Sequence, residues 1–352
     1  MRFLPLAGIL LAVVMVGIGI WQITETPGSV LKEEPPPVLP TSTPGETIII
    51  SIREGEGAQD VADKLEDEGI IASGLLFRVL VALEGYEHQL MAGDYEFDKG
   101  MPTLEVLERI RHGQTAPLVV TIREGMRAEE IAELMEEKKV VSAEDFLEAI
   151  KNWYEFSFLY TKPYWANLEG YLFPDTYFFS RNMTAEEVVQ QILENFDQRV
   201  DNELRQEADV AGLSMHSVLT LASIVEREAQ VPDERPIIAA VFLKRLRRGM
   251  PLEADPTVQY ALGNDPASVA KYGYWKQELT QTDLEVDSPY NTYLYTGLPR
   301  GPICNPGLAS IEAVIRPAET SYLYFVARAD GSHVFAETLE EHLRNIEQYG
   351  GR

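Results

Sequence analysis

Apolar and polar positions along this chain fall into three regimes. The first is an unbroken apolar run from Phe3 to Ile23, preceded only by Met1 and Arg2. About 21 such residues suffice for one helix to cross a bilayer core. No small-residue cleavage pattern ends the run, so it predicts an uncleaved signal anchor over residues 1–23. Trp21 suits the outer interface and Arg2 a cytoplasmic N-terminus. The second regime, residues 24–46, is rich in Pro, Ser, Thr and Glu and reads as an extended tether. From Thr47 onward short strand and helix patterns alternate, as in a folded body.

Within that body one pattern occurs twice, offset by 70 positions. Ser51-Ile52-Arg53-Glu54-Gly55 leads to Ala58, Val61, Ala62 and Leu65, then Ile70-Ile71. Thr121-Ile122-Arg123-Glu124-Gly125 leads to Ala128, Ile131, Ala132 and Met135, then Val140-Val141. Each copy predicts a β-branched strand, a turn at Glu-Gly and an amphipathic helix. A second helix is expected in each, from Ser73 to Glu84 and from Ser142 to Lys151, with the serines as N-caps. Between the copies, residues 92–97 read as a strand and 104–110 as a helix stopped near Gly113. The unit resembles a LysM-type module, which implies affinity for glycans containing N-acetylglucosamine. A duplicated scaffold without a ligand is the other reading. The expected layout is a LysM-like domain over 47–117 and a catalytic domain over 118–352, with 118–151 as the second copy.

Composition narrows the options. The chain has 56 acidic against 30 basic residues and a net charge of −26, which argues against nucleic acid and against broad contact with anionic lipid. Cys304 is the one cysteine, so no internal disulfide and no cysteine-built zinc site can form. The 5 histidines include no H-x-x-x-H pair, so neither a metal nor a cofactor is implied. There is no G-x-S-x-G and no evident Ser/His pairing, which weakens a protease reading.

The chemistry gathers after Leu168. The apolar stretch 217–225 runs directly into Glu226-Arg227-Glu228. Glu226 shares a helix face with Leu219, Ala222 and Ala229. A carboxyl on such a face loses solvation, its pKa rises, and it can serve as a general acid. Glu228 lies about 200° further round the helix, so the two cannot converge on one substrate atom. Glu228 is expected to pair with a base such as Arg235 or Arg245, or to position Glu226 indirectly. Glu169, in a Glu-Gly turn, suits either substrate hydroxyls or the capping of a loop. Asp255-Pro256-Thr257 reads as a helix start with Asp255 as N-cap. Tyr290-Asn291-Thr292-Tyr293 carries the rings and amide that sugars favour. Tyr260 and Arg245 are weaker candidates. At the end of the chain, residues 322–327 and 333–335 predict a hairpin and Thr338 caps a last helix.

Five segments stand together: L-E-G-Y-L-F-P-D-T-Y from Leu168, A-S-I-V-E-R-E from Ala222, D-P-T-V-Q-Y from Asp255, Y-N-T-Y from Tyr290, and G-L-P-R-G-P-I-C-N-P-G from Gly297. With the anchor and the repeat, they closely resemble the endolytic murein transglycosylases, the MltG or YceG-like family. The resemblance implies an α+β fold and an enzyme that cuts peptidoglycan glycan strands internally with one catalytic glutamate. On the matching motif that glutamate is Glu226. Substrate contacts are expected from Glu169, Glu228, Asp255, Thr257, Tyr290, Asn291, Thr292 and Tyr293. The implied product is a 1,6-anhydromuramic end, formed when the muramic C6 hydroxyl attacks its own anomeric carbon. Such an intramolecular attack needs no protein nucleophile. The implied place is the outer side of the cytoplasmic membrane, and the implied partners are peptidoglycan synthases. A glycoside hydrolase of the same bond and a non-catalytic glycan-binding scaffold are the alternatives.

Overall fold

The computed structural model describes residues 47–86 and 89–349. The predicted anchor and the tether lie outside these residues. Among the described residues no single helix is long and apolar enough to cross a membrane.

The first copy of the repeat folds as β1 (Thr47–Ile52), α1 (Ala58–Asp67), α2 (Gly74–Glu84), β2 (Gly93–Asp98) and α3 (Thr103–Arg111). Strands β1 and β2 pair antiparallel, with Ile50 opposite Tyr95. Val61, Ala62 and Leu65 of α1 are buried against Phe77, Val81, Tyr95, Phe97 and Leu107, which form a core of their own. Ser73 caps α2 as expected, accepting the Leu76 N–H.

The second copy repeats the order with β3 (Leu118–Thr121), α4 (Ala128–Glu137), α5 (Ala143–Ala149), β4 (Thr176–Phe179) and α6 (Ala185–Arg199). Strand β3 pairs antiparallel with β4, Val120 opposite Tyr177. The resemblance between copies therefore runs beyond the stretch 118–151 and includes the returning strand and a third helix. The same cap starts the first helix in both: Asp60 accepts the Gly57 N–H at 3.3 Å, and Glu130 accepts the Arg127 N–H at 2.9 Å.

The rest of the chain is mostly helical: α7 (Asn202–Val210), α8 (Met215–Glu228), α9 (Arg235–Arg247), α10 (Asp255–Leu262), α11 (Pro266–Tyr272), α12 (Gln281–Leu284) and α13 (Leu308–Ile315). It ends in the predicted hairpin, β5 (Tyr324–Ala327) with β6 (His333–Ala336), and in α14 (Leu339–Tyr349). Thr338 caps α14 through the Glu341 N–H. Helix α10 starts one residue earlier than expected: Ala254 is its N-cap, so Asp255 and Pro256 occupy its first turn. Among the described residues the architecture is α+β, with three two-stranded antiparallel sheets and many helices.

Helix α8 is central because it is apolar nearly all round. Residues 218–225 are all buried, packed by α9 and α13. They join the second copy of the repeat in one continuous core. Two serines tie α8 into the fold: Ser214 caps it through the Ser217 N–H, and Ser223 Oγ accepts the Ile303 N–H.

Candidate active site

Helix α8 emerges from the core at its C-terminal turn, and its last residues leave in different directions. Glu226 turns toward α13. One carboxylate oxygen accepts the N–H of Gly307, the N-cap of α13, at 3.0 Å. The other lies 3.5 Å from Arg235, and the side chain is only 8% exposed. Arg235 is held in turn by Ser310 at 3.1 Å. Glu124, from the turn between β3 and α4, crowds the same glycine. A Cβ at Gly307 would overlap the Glu124 carboxylate as it stands. Partial desolvation and the neighbouring Glu226 charge push the Glu124 carboxyl above its ordinary value. Glu226 is thus a tied carboxylate, and the expected pairing of Arg235 with Glu228 is replaced by Arg235 with Glu226.

Glu228 leaves on the other side. It lines a cavity of about 440 Å³ with Arg245, Glu253, Asp255, Tyr293 and His342. Burial, and then the nearby Asp255 carboxylate, push its carboxyl up to about 8. No described residue donates a hydrogen bond to it or forms an ion pair with it. Asp255 accepts the Tyr293 hydroxyl at 2.7 Å. Arg245, the other expected partner of Glu228, instead pairs with Glu253 at 2.9 Å. It also donates to the carbonyls of Leu323 and Leu252. Glu253 sits at φ 54, a left-handed conformation that costs a non-glycine residue about 1–3 kcal/mol. Burial, and then the Arg245 charge, lower the His342 pKa and so favour the neutral ring at the cavity wall.

Thr257, Asn291 and Thr292, also expected as substrate contacts, are buried beneath this cavity. Thr257 and Thr292 join hydroxyl to hydroxyl at 2.9 Å, and Thr292 accepts the Ala254 N–H at 3.0 Å. Asn291 donates to the carbonyls of Leu284 and Val286 and accepts the Tyr293 N–H. Their polar groups fix the loops that present Asp255 and Tyr293.

Glu169 and Tyr290 line a different cavity, of about 470 Å³. Glu169 is fully enclosed. It accepts the Ala128 N–H at the start of α4 and the Asn305 amide at 2.7 Å. Asn305 returns its oxygen to the N–H groups of Gly170 and Leu172. Gly170 has φ +88, and a Cβ there would collide with the Pro302 ring. Glu169 therefore caps a helix and holds a loop, one of the two roles foreseen for it. Burial and the Glu129 charge raise its carboxyl to about 8. Tyr290 packs against Tyr260, ring centres 4.7 Å apart. Cys304 is enclosed, its thiol directed to the Ser223 carbonyl at 3.3 Å. No cluster of three or more His, Cys, Asp or Glu able to hold a metal occurs among the described residues.

Sequence reasoning overlooked Glu124, Gly307 and Asn305 as site-forming residues. Glu124 was in view as half of a repeated Glu-Gly turn, and Asn305 and Gly307 as motif positions. Nothing in the sequence said that they meet α8.

The model of the YceG-like family matches residues 50–348. The chain is 35% identical over 317 residues to a Bacillus subtilis protein named endolytic murein transglycosylase, covering 86% of this chain and 85% of that one. A protein of the same name from Streptococcus pneumoniae is 31% identical over 327 residues, with 86% of this chain and 58% of that one covered. A crystal structure of a yceG-like protein from Listeria monocytogenes superposes with a TM-score of 0.56 at 34% identity, over 85% of this chain and 98% of that one. The chain belongs to the YceG-like family.

Proposed function

We propose that the protein is an endolytic murein transglycosylase, and that Glu228, rather than Glu226, is its acid. The observation that carries the assignment is the difference between the two carboxylates. Glu226 is bound by a backbone N–H and faces an arginine. Glu228 faces an open cavity, without a hydrogen-bond or ion-pair partner among the described residues, and its carboxyl is raised to about 8. A general acid must hold a proton at working pH and have room for the leaving oxygen, and Glu228 meets both conditions.

The mechanism follows from that placement. Glu228 delivers its proton to the oxygen bridging N-acetylmuramic acid to N-acetylglucosamine, and the glycosidic bond breaks with its electron pair going to that oxygen. The Asp255 carboxylate raises the Glu228 pKa beforehand and is favourably charged toward the oxocarbenium-like centre. The Glu228 carboxylate then takes the proton of the muramic C6 hydroxyl as that oxygen closes on the anomeric carbon. Glu228 ends protonated, ready for another cycle. In the same reading residues 1–23 anchor the chain, 47–117 form a LysM-like module, and the site faces the wall. Glycan polymerases and transpeptidases are its neighbours there. Among the proposed sugar contacts, Asp255, Tyr293, Glu169 and Tyr290 line cavities, whereas Thr257, Asn291 and Thr292 act by shaping them.

One observation favours a second reading. Asp255 is a second carboxylate in the same cavity, as a hydrolase using water would require. Both readings are tested on uncrosslinked glycan. Glu228→Gln is expected to lower kcat by about 10²–10⁴-fold, while Glu226→Gln retains most of it. Loss of activity in Glu226→Gln alone would return the acid to that residue. Mass spectrometry of the new ends decides the chemistry: anhydro ends, lighter by one water, fit the transglycosylase, and reducing ends fit the hydrolase.

A further inference from the structure

The cavity lined by Glu169 takes no part in the proton transfers at Glu228, and its rim has a distinct character. Trp165 is 43% exposed at its mouth, and the neighbouring Tyr164 is 95% exposed. The Arg300 guanidinium lies over the Trp165 ring at 4.0 Å. No described residue forms an ion pair with Arg300 or accepts a hydrogen bond from its side chain. Lys151 adds a second cation to the lining, paired with the surface residue Glu148. Cationic groups stand out in a chain whose net charge is −26. The inner wall is made by Tyr260, Tyr290 and Pro302.

Exposed rings suit the apolar faces of a pyranose. A guanidinium stacked on an indole keeps its N–H fork free for a carboxylate. Tyr290 lines this cavity and Tyr293 lines that of Glu228. Their Cα atoms can be no more than about 11 Å apart, given the reach of an extended chain. The linings of the two cavities are therefore close in space.

We infer that this cavity is a second saccharide site, selective for an N-acetylhexosamine that carries a carboxylate, with Trp165 under the sugar and Arg300 on the acid. It rests on the murein reading for its biological ligand. The carboxylate has two possible sources, the lactyl group of N-acetylmuramic acid itself or the peptide stem attached to it. The site would hold the strand away from the scissile bond, favouring cuts inside a strand over cuts at its end.

The test uses the full chain in detergent micelles carrying Glu228→Gln, so that no probe is consumed. The Trp165 indole signal is followed by NMR while N-acetylmuramic acid, muramyl dipeptide or N-acetylglucosamine is added. A carboxylate-bearing probe is expected to shift that signal, and N-acetylglucosamine to bind more weakly. Arg300→Ala is expected to weaken the carboxylate-bearing probe about ten-fold, the scale of one charge-assisted hydrogen bond. Arg300→Lys, which keeps charge and loses the fork, should fall between. Preference for muramic acid alone assigns the lactyl group, and preference for the dipeptide assigns the stem. With Glu228 intact, Arg300→Ala should raise KM on long strands about ten-fold and leave kcat within about two-fold. Equal binding of all three sugars, or binding indifferent to Arg300, overturns the inference. Activity surviving in Glu228→Gln would instead sink the acid assignment, and the titrations would still decide the cavity.

Discussion

Two copies of one unit, β1–α3 and β3–α6, differ in what evolution has hung on them. The first connects α2 to β2 through residues 85–92 and closes on its own core. The second connects α5 to β4 through residues 150–175, and that longer passage carries Trp165, Glu169 and Gly170. Its Glu-Gly turn places Glu124 beside Glu226, while the equivalent Glu54 is exposed. Position 57 is a glycine whose Cβ would meet only Asp60, at ordinary contact distance; position 127 is an arginine with no exposure at all. The same backbone serves as a self-contained module once and as the foundation of a site the second time.

The contrast is sharpest at Arg127. It pairs with Glu129 at 3.0 Å, donates to Asn264 at 2.6 Å and stacks on Tyr260 at 4.1 Å. A Cβ at Gly263 would collide with both the guanidinium and the Tyr274 carbonyl. Arg127→Ala should cost about 3–5 kcal/mol in urea unfolding, since buried partners lose their charge and hydrogen bonds. Gly57→Ala, at φ −81, should change stability by about 0.5 kcal/mol or less. Comparable costs at the two positions would break the distinction between module and foundation.

Next in size are Leu65 and Met135, equivalent positions that are both fully buried. Either, changed to Ala, should lose about 2–5 kcal/mol. The readout that separates them is activity. Leu65→Ala loosens a separate core and should leave kcat on short glycans unchanged. Met135→Ala acts in the core that contains α8 and should lower kcat as well as stability. A fall in kcat with Leu65→Ala would show that the first copy is coupled to the site.

These pairs also mark how far the sequence could be read. Periodicity placed Leu65 and Met135 in cores, and the serines at 73 and 142 at helix starts, because those features are local. The motifs were visible too, and helix geometry correctly separated Glu226 from Glu228. Which of the two faces a cavity was not legible. It depends on Gly307 and Arg235 closing over one side, contacts made across long stretches of chain. The roles of Thr257, Asn291 and Thr292 in holding loops were hidden for the same reason, since a buried polar side chain and a substrate contact look alike in a motif.

The copies should also respond oppositely to pH. Glu169 in the second has a carboxyl raised to about 8, chiefly by burial. A raised acid binds its proton better in the folded state. Its contribution is therefore complete below the ordinary value of 4.5 and is lost as pH climbs through about 8. Glu56 in the first is lowered by its hydrogen bond from Lys64, so its contribution is present above that ordinary value and fades as pH falls through its lowered pKa. Hydrogen exchange, corrected for intrinsic rates, should show α4 losing protection from pH 5 to 8 while α1 does not. Glu169→Gln should flatten the α4 slope. A slope unchanged by that substitution would assign the loss to other groups.

The smallest contrast lies at the end of each first helix. Gly69 takes φ +70 there, and in the second copy Lys139 takes φ +57 at the equivalent position. Left-handed backbone costs a side-chain-bearing residue about 1 kcal/mol or more, and glycine almost nothing. Lys139→Gly should therefore stabilise by up to about 1 kcal/mol, partly offset because glycine is freer in the unfolded chain. Gly69→Lys should destabilise by a similar amount. The turn is needed in both because α1 and α4 must reverse direction before Ile70 and Val140 enter their cores. If Lys139→Gly is instead destabilising, the lysine side chain contributes packing that outweighs its backbone strain. The second copy would then have been refined for its role at this position as well as at Arg127.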